Sequence, residues 1–290
     1  MKKLFTTALA ILACGATEAL PLGNPSDPAL LLDGFIWEGH CLNPGDPCAN
    51  WCNATSFRLG FYGDYVFNRH LEVDSKELRA QIEECEIFTN AALFVFNFYD
   101  RLDFYLTLGA SSLFIDSNSS TFAPNSSTTL GNRLIIETDS DFSWSVGARS
   151  VLWKCGWTTL GAETQYFYTK PHISRITSKP NGLEESVYDD NLNVRYHEWQ
   201  VGVGIAHRIR MLSIYGGVTW SCASADFDRV QIPIPSNPAL IMATLNNLQS
   251  AKNWGYAVGV TIVDCARFSL TAEGRFSDEK ALHINGQFRF

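Results

Sequence analysis

The chain has 290 residues, a formal net charge of −8, 46% hydrophobic and 13% aromatic residues. An acidic balance argues against a nucleic-acid partner, which needs a basic surface. No apolar run approaches the roughly 18–20 residues of a helical membrane span, so a membrane role would have to rest on strands.

At the N-terminus, Met1-Lys2-Lys3 is a basic start, Leu4 to Ala13 is a short apolar run, and small residues stand at Thr17 and Ala19. That pattern predicts a secretory signal peptide over 1–19, cut between Ala19 and Leu20. A lipobox at Ile11-Leu12-Ala13-Cys14 fits less well, because bulky Leu12 precedes the small residue directly. Residues 20–55 follow as a cysteine-containing segment expected in the periplasm.

From 56 onward, short segments repeat with period two. "RLDFYLTLGA" sets Leu102, Phe104, Leu106 and Leu108 against Arg101, Asp103, Tyr105 and Thr107. "HEWQVGVGIAHR" sets Trp199, Val201, Val203 and Ile205 against Gln200, Gly202, Gly204 and Arg208. A 180° repeat marks a strand with two different environments. Ten such strands are predicted, at 56–68, 87–98, 101–115, 141–152, 157–168, 194–208, 212–222, 253–263, 266–276 and 281–290. Additional strands are admitted at 29–38, at 132–140 or within loops, giving a range of 10–16. Until "SDEK" at Ser277 to Lys280, very short connectors alternate with four long ones, 69–86, 116–140, 169–193 and 223–252. This is the rhythm of an up-and-down meander whose long loops emerge at one end.

Alternation alone fits a soluble sandwich as well as a membrane barrel. Three features favour the barrel. The apolar faces carry aromatics near strand ends, including Trp144, Trp199, Trp220, Trp254 and Phe276, where the lipid–water interface would hold them. The segments run about 10–13 residues, against about 5–6 for a globular strand. None of these faces carries a charge, which would cost roughly 2–4 kcal/mol in mid-bilayer. The tail completes the pattern: Leu282, Ile284, Gly286, Phe288 and Phe290 alternate with His283, Asn285, Gln287 and Arg289. The fold predicted is all-β, a transmembrane antiparallel barrel over 56–290 in a bacterial outer membrane. A terminal strand ending on an aromatic is what outer-membrane assembly machinery reads in this class, which assigns Leu282, Ile284, Phe288 and Phe290 to an assembly signal.

The stretches "LPLGNPSDPALLLDGFIWEG", "DPCANWC", "RLGFYGDYVFNR", "WSVGARSVLWKCGWTTLGA", "YHEWQVGVGI" and "VGVTIVDCARFSLTAEGRFSDEKALHINGQFRF" resemble the chlamydial major outer membrane protein family. The likeness covers nearly every strand region and both ends of the mature chain. The four long loops look shorter than is usual there. The resemblance implies a porin for small solutes, often trimeric, in a disulfide-crosslinked envelope with cysteine-rich partner proteins. It also implies a periplasmic C-terminus and four extracellular long loops. A non-conducting structural or adhesive barrel is the alternative.

On this topology Cys41, Cys48, Cys52, Cys155 and Cys265 lie on the periplasmic side, and Cys85 and Cys222 at the outer strand ends. Turn-borne cysteines on a rigid barrel are better placed to bond neighbours than each other, since a disulfide needs Cα atoms within about 7 Å; pairing within 41–52 with one spare thiol is the other possibility. The inward face is expected to carry Arg58, Arg101, Arg149, Arg208, Arg267, Arg275 and Arg289 against Asp64, Asp103, Glu163 and Glu273. This predicts pore-lining arginines and weak anion selectivity, or else a narrow lumen filled by ion pairs. His197-Glu198 lacks a second His at helical spacing and reads as a polar rim pair. No nucleophile elbow, phosphate loop, metal-ligand set or cofactor motif is present, so no enzyme is expected.

Overall fold

The computed structural model describes residues 20–32, 54–74, 82–118, 133–178, 185–187, 192–227, 230–234, 237–243, 245–277 and 279–290. In chain order the strands are β1 (Thr55–Arg69), β2 (Leu71–Val73), β3 (Glu84–Phe98), β4 (Leu102–Asn118), β5 (Arg133–Thr138), β6 (Asp141–Cys155), β7 (Thr158–Thr169), β8 (Ile173–Ser178) and β9 (Glu185–Val187). They continue with β10 (Val194–Ile209), β11 (Leu212–Phe227), β12 (Val230–Ile234), β13 (Asn237–Ala243), β14 (Leu248–Ser250), β15 (Trp254–Asp264), β16 (Phe268–Phe276) and β17 (Glu279–Arg289). One short 3-10 turn, Asp27–Ala29, precedes them.

Ten long strands close a ring in the order β1, β3, β4, β6, β7, β10, β11, β15, β16, β17 and back to β1, each pair antiparallel. All ten predicted strands are present and no described strand adds to the ring. The 132–140 candidate does hold β5, but it pairs with the end of β4 and with β8 outside the ring. Residues 29–32 are not strand, and 33–38 lie outside the described residues.

The closing seam runs from Arg58 opposite Arg289 to Arg69 opposite Glu279, with a bulge between Val66 and Asn68. The extra residue shifts the pleat, so Val66 and Arg69 are both buried while Phe67 is exposed. The tightest turns are primed hairpins. Tyr99 and Asp100 have φ of 52° and 51°, and Arg101 N donates to Phe98 O at 2.9 Å. Cys265 and Ala266 have φ of 48° and 55°, under a 3.1 Å bond from Arg267 N to Asp264 O. Positive φ at both central residues matches the right-handed twist of the paired strands.

Along the strands that run on toward the long loops, β3, β4, β10 and β11 among them, the polarity inverts once. On β10, Val201, Val203 and Ile205 point outward and are exposed, and Gln200 and Ala206 point inward and are buried. Nearer the long loops the order reverses: Val194 and Tyr196 are buried and Arg195 is exposed. The same reversal puts Cys85, Ile87, Leu113, Ile115 and Ala225 into an apolar core at the loop end, closed by β2, β5, β8 and β14. Apolar side chains outside with polar ones inside is a wall in lipid; the reverse is a wall in water.

The change falls at an aromatic belt, where Trp199 meets Trp220 at 4.5 Å and Trp144 meets Tyr166 at 5.6 Å. A second belt lies at the short-turn end, with Trp153, Trp157, Ile209 and Met211 exposed. Trp199 and Ile209 are ten residues apart on β10. At about 3.3 Å per residue and a tilt of about 40°, that is about 25 Å, the height of an outer-membrane apolar band.

Candidate functional site: a filled lumen

The lumen is not empty. Residues 20–32 lie inside the barrel, buried from Leu20 through Leu31. This portion of the segment expected below the barrel is therefore within it; residues 33–53 lie outside the described residues. The chain descends along β10. Pro21 O accepts from Gln200 Nε2 at 3.2 Å, and Leu22 faces Gly202, Gly204 and Gly217. Gly23 turns the chain at φ 61°. Asn24 Oδ1 accepts from the backbone and hydroxyl of Ser26 at 2.9 and 2.7 Å, which fixes the bend ahead of the 3-10 turn.

The wall is shaped to this segment. A Cβ on Gly202 would sit 2.5 Å from Leu22 Cδ1, and one on Gly204 2.7 Å from Pro25 Cγ. A Cβ on Gly161 would sit 2.8 Å from Pro25 O. The small residues that alternate with the apolar set on β7, β10 and β11 are thus the floor of a cradle.

Polar side chains hold the segment from the other side. Glu273 accepts from Leu22 N at 2.9 Å, Gly23 N at 2.8 Å and Tyr215 Oη at 2.7 Å. Arg149 bridges Asp27 at 2.5 Å and Glu163 at 2.7 Å, and Tyr105 donates to Glu163. Arg58 pairs with Asp103 and donates to Asp27 O at 3.1 Å. Asn97 donates to Asp103 at 2.6 Å and to Pro28 O at 3.1 Å. Arg289 donates to Leu31 O and pairs with Asp100 at 2.9 Å. Above these, Arg69 joins Glu198 at 2.8 Å and Glu279 at 2.9 Å, and Arg275 joins Asp64 at 2.7 Å and also Glu279. The ion pairs satisfy charges that would otherwise be stranded in a narrow interior. Around Leu20 and Pro21, two cavities of about 10 and about 20 Å³ remain between segment and wall, room for about one water each; a wider one lies at the short-turn end.

Of the sequence-predicted lining, Arg58, Asp103, Arg149, Glu163, Glu273, Arg275 and Arg289 are buried in the lumen, as is Asp64. Arg101, Arg208 and Arg267 are not: Arg101 is exposed and the other two half-buried at the short-turn rim. Glu198 and Glu279 are buried lumen groups that the sequence reading put at a rim and in a turn, and Asp27 belongs to the inserted segment. The pleat splits His197 from Glu198, which shares its face with Gln200. Five buried arginines thus face seven buried carboxylates among the described lumen residues. The net positive interior expected from sequence is corrected accordingly. The strict alternation from Tyr196 to Gln200 could have revealed Glu198; nothing local marks Asp27.

Basic charge collects instead at the short-turn mouth, on Arg101, Lys154, Arg208, Arg210 and Arg267. Lys154 and Arg208 line a cavity of about 100 Å³ beneath the 3-10 turn. Cys155 and Cys265 are exposed at this same end, Cys222 is half-buried near the loop end, and Cys85 is buried in the loop-end core. Cys41, Cys48 and Cys52 lie outside the described residues. Asp264 accepts from the Cys265 thiol at 3.3 Å, and this bond with the carboxylate's charge raises the thiol above its ordinary pKa.

The family model of the Chlamydia major outer membrane protein matches residues 1–82, 77–133, 123–189, 180–247 and 238–290. The matched pieces meet at 77–82, 123–133, 180–189 and 238–247, each within one of the four long connectors. The major outer membrane porin of Chlamydia pneumoniae is 37% identical over 391 residues, covering all of both chains. The serovar E protein of Chlamydia trachomatis is 34% identical over 393 residues, again covering both fully. These alignments exceed the 290-residue chain by about a hundred positions. Among solved structures, the Escherichia coli outer membrane protease OmpT is similar at a TM-score of 0.40 and 10% identity, over 81% of this chain and 96% of that one. With its closed ten-stranded barrel and family match from end to end, the chain belongs to the Chlamydia major outer membrane protein family and is an integral protein of the outer membrane.

Proposed function

We propose that this chain is an outer-membrane porin for small solutes whose pathway is closed by its own residues 20–32 and opens when that segment withdraws. The observation that carries this is the match between segment and wall: glycines stand where Leu22 and Pro25 lie, and Glu273 receives two backbone amides of the segment. The polar lumen suits both states, because water can replace the bonds that the segment gives up. The relatives named as porins support the transport role. No catalytic chemistry is proposed.

The finer points follow from the same geometry. Weak anion preference would arise at the basic short-turn mouth rather than from arginines in the lumen, where carboxylates prevail. Cys155 and Cys265 would supply disulfides to neighbouring envelope proteins, being exposed on rigid turns, whereas buried Cys85 is unsuited to the task. Three copies side by side through the lipid-facing wall would give the trimer that the family resemblance implies. The long loops would face outward and the C-terminus the periplasm.

A non-conducting structural barrel is the second reading, favoured by the two cavities around Leu20 and Pro21, each of which holds about a single water. Planar-bilayer recording under a salt gradient separates the two. The mature chain is expected to show rare steps, and the same chain lacking residues 20–32 frequent ones, with a reversal potential on the anion side. Insertion without steps from either chain would contradict the porin proposal.

A further inference from the structure

Leu20, the first residue after the predicted leader, lines the smaller of the two lumen cavities. The charged groups around that cavity are Asp64, Arg69, Glu198, Arg275 and Glu279, all at most 5% exposed. Three carboxylates face two guanidiniums, so the described lining is one positive charge short. Arg69 and Arg275 already share Glu279, with Glu198 and Asp64 at the two ends of the chain of pairs. Leu20 and Glu198 line this same cavity, Glu198 also accepts from Tyr196 Oη at 2.8 Å, and the neighbouring Pro21 O accepts from Gln200, two residues along β10 from Glu198.

We infer that cleavage of the leader between Ala19 and Leu20 supplies the missing charge: the new α-ammonium of Leu20 completes this cluster and locks residues 20–32 in the lumen. Hydrolysis adds one water across the Ala19–Leu20 peptide bond, leaving a carboxylate on Ala19 and a protonated amine on Leu20. In the uncut chain the same nitrogen is a neutral amide and cannot balance the third carboxylate. Processing is then the event that closes the barrel, and an exported chain keeps its plug unlocked until the leader is removed. This inference rests on residues 20–32 acting as the plug, but its first readout does not depend on conduction.

The test uses the full mature chain, refolded in detergent with its native terminus freed from a fusion by an exact protease cut. N-terminal sequencing of the envelope protein should start at Leu20; a different start overturns the inference. In the refolded barrel, an amine-specific reagent at neutral pH should label the α-amine about tenfold or more slowly than in the unfolded chain, since a buried group reacts only through opening. Equal labelling rates would overturn it. Nα-acetylation should raise the frequency of conducting steps about tenfold, and Glu198→Gln in the acetylated chain should reverse much of that rise by removing the unbalanced carboxylate. If deletion of 20–32 opens the channel while acetylation leaves the step frequency unchanged, the plug stands and the ammonium lock falls.

Discussion

Gly202 shows how much a single missing side chain can decide. A Cβ there meets two side-chain carbons, Leu22 Cδ1 at 2.5 Å and Thr219 Cγ2 at 2.9 Å, but no backbone closer than 3.4 Å. Gly202→Val should therefore spare the barrel and crowd the plug. Overpacking of this kind costs about 1–3 kcal/mol, so the open fraction should rise by about fivefold to about 150-fold, measured as open probability in bilayers. Cys265 offers a second handle. Asp264 holds its thiol above the ordinary value, so at neutral pH less of it is thiolate than at an ordinary cysteine, and it reacts slowly. Asp264→Asn should bring the midpoint of its alkylation-rate profile to lower pH and speed labelling near pH 7; an unchanged profile would remove the carboxylate from the account. At this scale the sequence was half legible. Alternation placed Arg58, Arg149, Glu163 and Arg275 on the inward face, because pleating dictates it. It could not say what they bind, because Asp27 arrives from 122 residues away along the chain.

At the scale of the strand, position along the barrel axis sets what a substitution costs. On the outward face of β10 the residues run Arg195, His197, Trp199, Val201, Val203 and Ile205, from water through the aromatic belt into lipid. Val203→Arg should destabilise the refolded barrel by about 2–4 kcal/mol, while His197→Arg should lie within about 1 kcal/mol of the parent. Urea unfolding in lipid vesicles measures both, and equal effects would contradict the assigned membrane level. The same inversion explains where strand prediction stopped short. On β4 the apolar positions are even up to Leu108 and odd from Leu113; on β11 they are even through Trp220 and odd at Ala223 and Ala225. A period-two pattern that changes phase reads as the end of a strand, so β4 and β11 were ended at 115 and 222 although they continue to Asn118 and Phe227. The opposite edges, at primed turns, were sharper because short polar connectors interrupt the alternation.

For the whole molecule, the ten-strand ring follows from the alternation of long and short connectors, and its closure explains the aromatic tail: β17 must pair with both β16 and β1. Leu282 and Phe288 then face lipid, exposed on the wall they complete. What the sequence did not disclose is the occupant of the lumen. Residues 20–32, LPLGNPSDPALLL, carry no period-two or helical pattern, and their three prolines, glycine and small polar groups among the leucines read as a linker when the surroundings are unknown. Inside the barrel the same residues are a folded plug, with Pro21 O, Leu22 N, Gly23 N, Asp27 O, Pro28 O and Leu31 O each bonded to a side chain on the wall. The alignments with the Chlamydia porins span about a hundred positions more than this chain, and the matched pieces of the family model meet within the long connectors.

The central claim, that residues 20–32 fill and close the lumen, is tested most directly by tethering the segment to the wall. Ser26 Oγ and Ser213 Oγ lie 3.2 Å apart. In a chain whose native cysteines are replaced by serine, Ser26→Cys with Ser213→Cys should form a disulfide in high yield under oxidising conditions. The oxidised protein should insert and stay silent in a bilayer, and dithiothreitol should restore conducting steps. Failure of the two cysteines to bond, or the same conductance before and after reduction, would contradict the account.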